Sequence, residues 1–116
     1  MDPADASRLI AAVDAARGRA AAQAAALERS VAAIVEAAEL TSTDDEHDPE
    51  GATIAYERAQ ASALLRQARD DLARLADIAA RLAGGTPIVC DGCGGEIGMA
   101  RLEALPTTRT CIRCAA

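Results

Sequence analysis

Four cysteines, and no others, stand in two Cys-x-x-Cys pairs, Cys90-Asp91-Gly92-Cys93 and Cys111-Ile112-Arg113-Cys114, with seventeen residues between them. Each pair places two thiolates on one tight turn, and two such turns facing each other supply the four sulfurs of a tetrahedral zinc site. Gly92, Gly94 and Gly95 fit this reading. Glycine tolerates positive φ and lets backbone N–H groups turn toward the sulfurs, offsetting part of their charge. Two disulfides would need an oxidising compartment, and Met1-Asp2-Pro3-Ala4-Asp5 carries neither the basic segment nor the apolar run of a secretory signal. A thioredoxin-like redox pair would need a strand–helix–strand context that the sequence lacks, and an iron–sulfur cluster favours other spacings. The spacing therefore predicts one structural Zn2+ on Cys90, Cys93, Cys111 and Cys114. Four protein ligands leave no open position for substrate or activated water, so this metal holds structure and does not catalyse.

The rest of the 116 residues cannot build a thick globular core. There is one Tyr, no Phe, Trp or Lys, and alanine almost everywhere. A chain that is 51% hydrophobic but 1% aromatic suits thin helices whose small side chains let backbones approach closely. The net charge of −6 argues against binding of nucleic-acid phosphates as the main activity, which needs a dense basic face, and favours a basic partner surface. No charge-free apolar run reaches the roughly eighteen residues of a membrane span, so a soluble, cytoplasmic protein is expected.

Helical periodicity fills the first two thirds. Asp2 is placed to cap a helix, Pro3 suits its first position and Asp5 its positive dipole end. Leu9, Val13, Ala16, Ala20, Ala24, Leu27, Val31, Ile34 and Ala38 recur in steps of three or four, predicting a helix to about Leu40 with one apolar seam. The stretch from Thr41 to Gly51 breaks the pattern. Its Thr, Ser and Asp side chains compete with helical hydrogen bonding, and Pro49 disfavours helical geometry at Asp48. A second helix follows from about Pro49 to Ala83, ended by Gly84-Gly85 and Pro87. Its seam, Ala61, Leu65, Ala68, Leu72, Leu75, Ala79 and Leu82, is a coiled-coil heptad pattern. Arg66, Arg69, Arg74 and Arg81 read mostly as a solvated face with occasional ion pairs. Two helices of matched length joined by a short turn predict a mainly all-α chain. Residues 1–85 form a long antiparallel coiled-coil hairpin with an acidic tip at 41–51, and residues 86–116 a small four-cysteine zinc finger. The finger's own apolar residues, Ile88, Val89, Ile97, Leu102 and Leu105, are too few to fold it unaided. Loss of a cysteine is expected to unfold that end and leave the hairpin helical.

The run Cys90-Asp91-Gly92-Cys93-Gly94-Gly95-Glu96-Ile97-Gly98, then Arg101-Leu102-Glu103-Ala104-Leu105-Pro106, then Cys111-Ile112-Arg113-Cys114 closely resembles the C-terminal zinc finger of the DksA/TraR family of bacterial transcription regulators. The preceding hairpin extends the resemblance back to about Leu27. It implies a non-enzymatic, monomeric protein that binds RNA polymerase directly, without sequence-specific DNA contact, by inserting its coiled coil into the secondary channel. In that family the tip carries Asp-x-x-Asp-x-Ala. Here Asp45-Glu46-His47-Asp48 supplies the two acids, with Glu50 where alanine would follow. Counting back from the finger without gaps instead aligns His47, Glu50 and Ala52. The tip candidates for partner binding are thus Asp45, His47, Asp48, Glu50 and Ala52. In the finger, Arg101 and Arg109 are candidates for contact with the polymerase rim, besides offsetting the charge of the zinc–thiolate cluster. Two other functions fit the same residues: an adaptor whose helices dimerise and whose finger grips another protein, or an accessory factor in transcript cleavage.

Overall fold

A computed structural model of the chain describes residues 2–40 and 49–115, with the side chains at 49 and 50 outside that description. It contains α1 (Pro3–Leu40), α2 (Pro49–Gly84) and a short α3 (Met99–Ala104). The expected mainly all-α class holds. Among the described residues the sole extended pairing is an isolated antiparallel bridge between Val89 and Glu96.

Local chemistry sets the helix ends. Asp2 Oδ1 accepts the N–H of Ala4 at 3.1 Å, and the Asp2 carbonyl accepts that of Ala6 at 2.9 Å, so donors left open by the first turn are satisfied. Pro3 opens α1, where its missing N–H costs nothing. Asp5 pairs with Arg8 one turn on. At the other end of the long helices, Gly85 sits at φ +69°, Thr86 donates to Arg81 O at 2.9 Å and Gly85 to Leu82 O at 3.4 Å. This is a Schellman turn, which only glycine enters without strain at the left-handed position.

The chain forms two compact units, Ala20–Asp70 and Met1–Arg19 with Asp71–Ala116. In the first, α1 and α2 run antiparallel. Arg69 reaches Glu28 at 3.1 Å, while Ala38 shares one open groove of roughly 400 Å3 with Ile54, Ala55 and Arg58, so rising numbers on α1 face falling numbers on α2. Ala20, Ala24, Ala61, Leu65 and Ala68 are buried, and Leu27, Val31, Ile34 and Ala38 are half-buried. The Arg69–Glu28 pair is more than half exposed on both sides and contributes at most about 1 kcal/mol.

The second unit packs the helix ends with the finger. Leu9 and Val13 of α1, Leu75 and Ile78 of α2, and Ile88, Ile97 and Leu102 beyond them are all buried. Ile78 lies outside the expected seam yet has no exposed surface. Arg74, expected on a solvated face, is a correction: it is only 7% exposed. Its guanidinium donates through one terminal nitrogen to Thr108 O at 2.8 Å and through the other to Asp77 Oδ2 at 3.2 Å. The reason is tertiary. Residues 74 and 78 are one turn apart on the same face, and the finger covers that face. Arg81 is also half-buried, donating to Asp77 and to Pro87 O. Burial, and next the nearby charge of Arg109, lower the Arg74 pKa, but a guanidinium stays charged at neutral pH. No helix among the described residues is long and apolar enough to cross a membrane.

Leu75→Ala or Ile78→Ala is expected to cost about 2–5 kcal/mol through the cavity left behind. Leu64→Ala, at a position 46% exposed, is expected to stay within about 0.5 kcal/mol. Chemical denaturation of the zinc-loaded protein reads all three.

Candidate metal centre

The first knuckle is shaped by a miniature ribbon. Cys90 N–H donates to Gly95 O at 2.7 Å, Ile97 N–H to Ile88 O at 3.0 Å, and Gly94 N–H returns to Cys90 O at 2.9 Å. Gly94, at φ +73°, makes the reversal. Gly92 is required for another reason: it does not adopt positive φ, but a Cβ there would lie 3.2 Å from both Cβ and Sγ of Cys114. The expectation of positive φ thus holds at Gly94 and is corrected at Gly92, where nearness to the Cys114 sulfur explains the residue, and at Gly95, where a Cβ would meet only an ordinary 3.5 Å contact with Cys93 Sγ. The N–H of Gly92 donates to Cys90 Sγ at 3.3 Å.

The second knuckle is delivered by three successive carbonyls, each held by a different donor. Thr108 O accepts from Arg74 at 2.8 Å, Arg109 O from the N–H of Asp91 at 2.8 Å, and Thr110 O from Arg101 Nε at 2.7 Å. Cys111 follows directly, and Cys114 N–H closes the turn onto Cys111 O at 3.1 Å. Leu102 of α3 is buried, with its N–H on Gly98 O at 3.1 Å.

The result gathers all four sulfurs within 4.8 Å of one another, and Cys93 Sγ lies 3.8 Å from Cys111 Sγ. Four sulfurs about 2.3 Å from a central zinc in a tetrahedron stand about 3.8 Å apart, so the donor set and its spacing fit the ion. Cys90 and Cys111 are buried, while Cys93 and Cys114 face outward. The electrostatics show what the ion must do. The N–H of Cys111 leads the backbone donors that bring the Cys90 thiol down to about 6, and the N–H of Cys114 likewise lowers Cys111. Hydrogen bonding to the Cys111 sulfur pushes the Cys114 thiol up to about 12. The backbone therefore stabilises some thiolates, and a cation is needed for the full set.

Of the other sequence candidates, Arg101 is half-buried with its Nε engaged on Thr110 O, whereas Arg109 is exposed. Ala52 is exposed in the first turns of α2. Asp45, His47 and Asp48 lie outside the described residues, as does the side chain of Glu50. Sequence reasoning missed Arg74 as a support of the metal site. No local signal marks it, since its partner is 34 residues away.

Fold and site together define a helical hairpin whose ends pack with a four-cysteine zinc finger. Residues 84–116 match the family model described as the prokaryotic dksA/traR C4-type zinc finger, so this module is a DksA/TraR finger holding one structural zinc ion. In fold the chain is similar to the structure of transcription factor DksA2 from Pseudomonas aeruginosa, with a TM-score of 0.74 and 21% identity, over 97% of this chain and 81% of that one. No curated protein matches the sequence. The resemblance to the DksA/TraR finger read from the residues stands for residues 84–116, and the likeness to DksA2 extends it in fold.

The pKa directions set the pH dependence of the site. A thiol depressed in the folded state contributes stability that is complete above its ordinary value of about 8.5 and is lost as pH falls through the folded value, about 6 for Cys90. Cys114 stays protonated across that range until metal displaces its proton. Zinc affinity, measured by chelator competition, is expected to fall steadily from pH 8 to pH 6. Zinc binding at pH 7 is expected to release protons, seen as buffer-dependent heat in calorimetry.

Proposed function

We propose that this chain is a transcription regulator of the DksA/TraR type that binds RNA polymerase directly and inserts its hairpin tip into the secondary channel. The observation that carries the reading is the pairing of a DksA/TraR finger at residues 84–116 with a DksA2-like fold over 97% of the chain. In this reading residues 1–85 are the inserted hairpin and 86–116 the finger. The tip acts through Asp45, Asp48 and Glu50, with His47 and Ala52 beside them, and Arg109 and Arg101 of the finger meet the rim.

Charge supports the assignment of the tip. Residues 20–70 carry ten acidic side chains against four arginines, which is the whole of the net −6, while residues 1–19 and 71–116 balance eight against eight. From Glu36 to Glu50 there are seven acids and no arginine. Such a segment is drawn to a basic pore and repelled by nucleic-acid phosphates. The protein acts as a cytoplasmic monomer without chemistry of its own. Four cysteines committed to zinc and a single histidine far from them in sequence offer no cysteine–histidine nucleophile–base pair.

Zinc-loaded protein is expected to capture purified core RNA polymerase, with binding that weakens as salt rises. A variant combining Asp45→Ala, Asp48→Ala and Glu50→Ala is expected to keep binding and lose its effect on transcription in vitro. Failure of the intact protein to bind polymerase at low salt would reject the proposal and direct the search to an adaptor's partner.

A further inference from the structure

We propose that Arg74 ties the order of the helix ends to the finger's metal, so that zinc loss loosens residues 3–19 and 71–84 as well as the finger. Each of the three carbonyls leading into Cys111 has a donor, but Arg101 and the Asp91 N–H belong to the finger itself, whereas Arg74 belongs to α2. Arg74 is therefore the residue through which the helix senses whether this segment is in place. The place of Thr108 O in turn depends on closure of the second knuckle, because Arg109 O, the next carbonyl, accepts the Asp91 N–H of the first knuckle at 2.8 Å and Cys111, three residues on, brings its sulfur within 4.8 Å of the other three. The metal is what holds the two knuckles together.

The consequence for α2 follows from burial. Arg74 as a whole is 7% exposed, and its buried Nε has no acceptor, so it is held in the interior with its hydrogen bonding already incomplete. Without Thr108 O it would keep Asp77, whose side chain is 48% exposed and is also engaged by Arg81. A buried charge with so little compensation turns out to water. Its departure uncovers the face it shares with Ile78, in the compact unit that also contains Leu9, Val13 and Leu75. Ala20–Asp70 forms a separate unit with its own seam and has no such dependence.

Hydrogen exchange on the full chain, zinc-loaded and after removal of zinc by chelator, reads this directly. Amides of 3–19 and 71–84 are expected to exchange at least about tenfold faster without zinc, while those of 20–40 and 49–70 keep their rates. By reciprocity, Arg74→Met, which keeps the apolar stem and α2 packing, is expected to weaken zinc binding about 10–100-fold. Arg69→Ala, which removes an exposed ion pair in the other unit, is expected to leave it unchanged. Unchanged zinc affinity in Arg74→Met, or exchange that rises only within 86–115, would overturn the proposal. So would exchange that rises equally throughout 20–70.

Discussion

Four thiols within 4.8 Å of one another form an assembly that cannot ionise fully by itself, and the second unit depends on resolving that conflict. Backbone N–H groups favour the thiolates at Cys90 and Cys111, while the crowding of sulfurs holds a proton at Cys114. A divalent cation removes the conflict. In doing so it fixes the turn at 90–95 against the segment 108–114. Ile88, Ile97 and Leu102 alone bury too little apolar surface for a module this small, so the ion is part of its core.

The same two helices solve different packing problems along their length. Through 20–40 and 49–70 each helix has one neighbour, and the buried contact is made mostly by alanines; Leu65 is buried with them, while Leu27, Val31 and Ile34 are only half covered. At 3–19 and 71–84 the finger adds a third partner, and there Leu9, Val13, Leu75 and Ile78 become fully buried. A two-helix seam encloses a small side chain, whereas full enclosure of a leucine or isoleucine needs cover from a further side. How fully the larger side chains are covered along α1 and α2 thus reflects the number of neighbours.

Much of this was legible because the governing chemistry is local. The cap at Asp2, proline at the first position of α1, the glycine stop at 84–85 and the four ligands all follow from residues a few positions apart. The seam positions were also readable, since helical period alone selects Leu9, Val13, Leu65 and Leu75. What escaped depends on contacts made across the chain. Arg74 and Ile78 look like ordinary surface and off-seam positions until the finger covers them, and Gly92 is needed for the approach of Cys114, twenty-two residues later. Periodicity cannot signal a partner that arrives from another element. The tip residues from 41 to 48 lie outside the described structure, so their register against the family motif rests on the sequence alone.

The passage from α2 to the finger contains no slack. Gly85 ends the helix in a left-handed turn, Arg81 donates to Pro87 O, and Ile88 is already part of the ribbon that shapes the first knuckle. With Arg74 engaged on Thr108, the finger is gripped from the helix that leads into it. It is therefore not a portable cassette. A finger transplanted from another chain would bring its cysteines and its zinc but would have to present a carbonyl where Arg74 expects one. Exchange between relatives should accordingly succeed only when the last three turns of the helix travel with the finger.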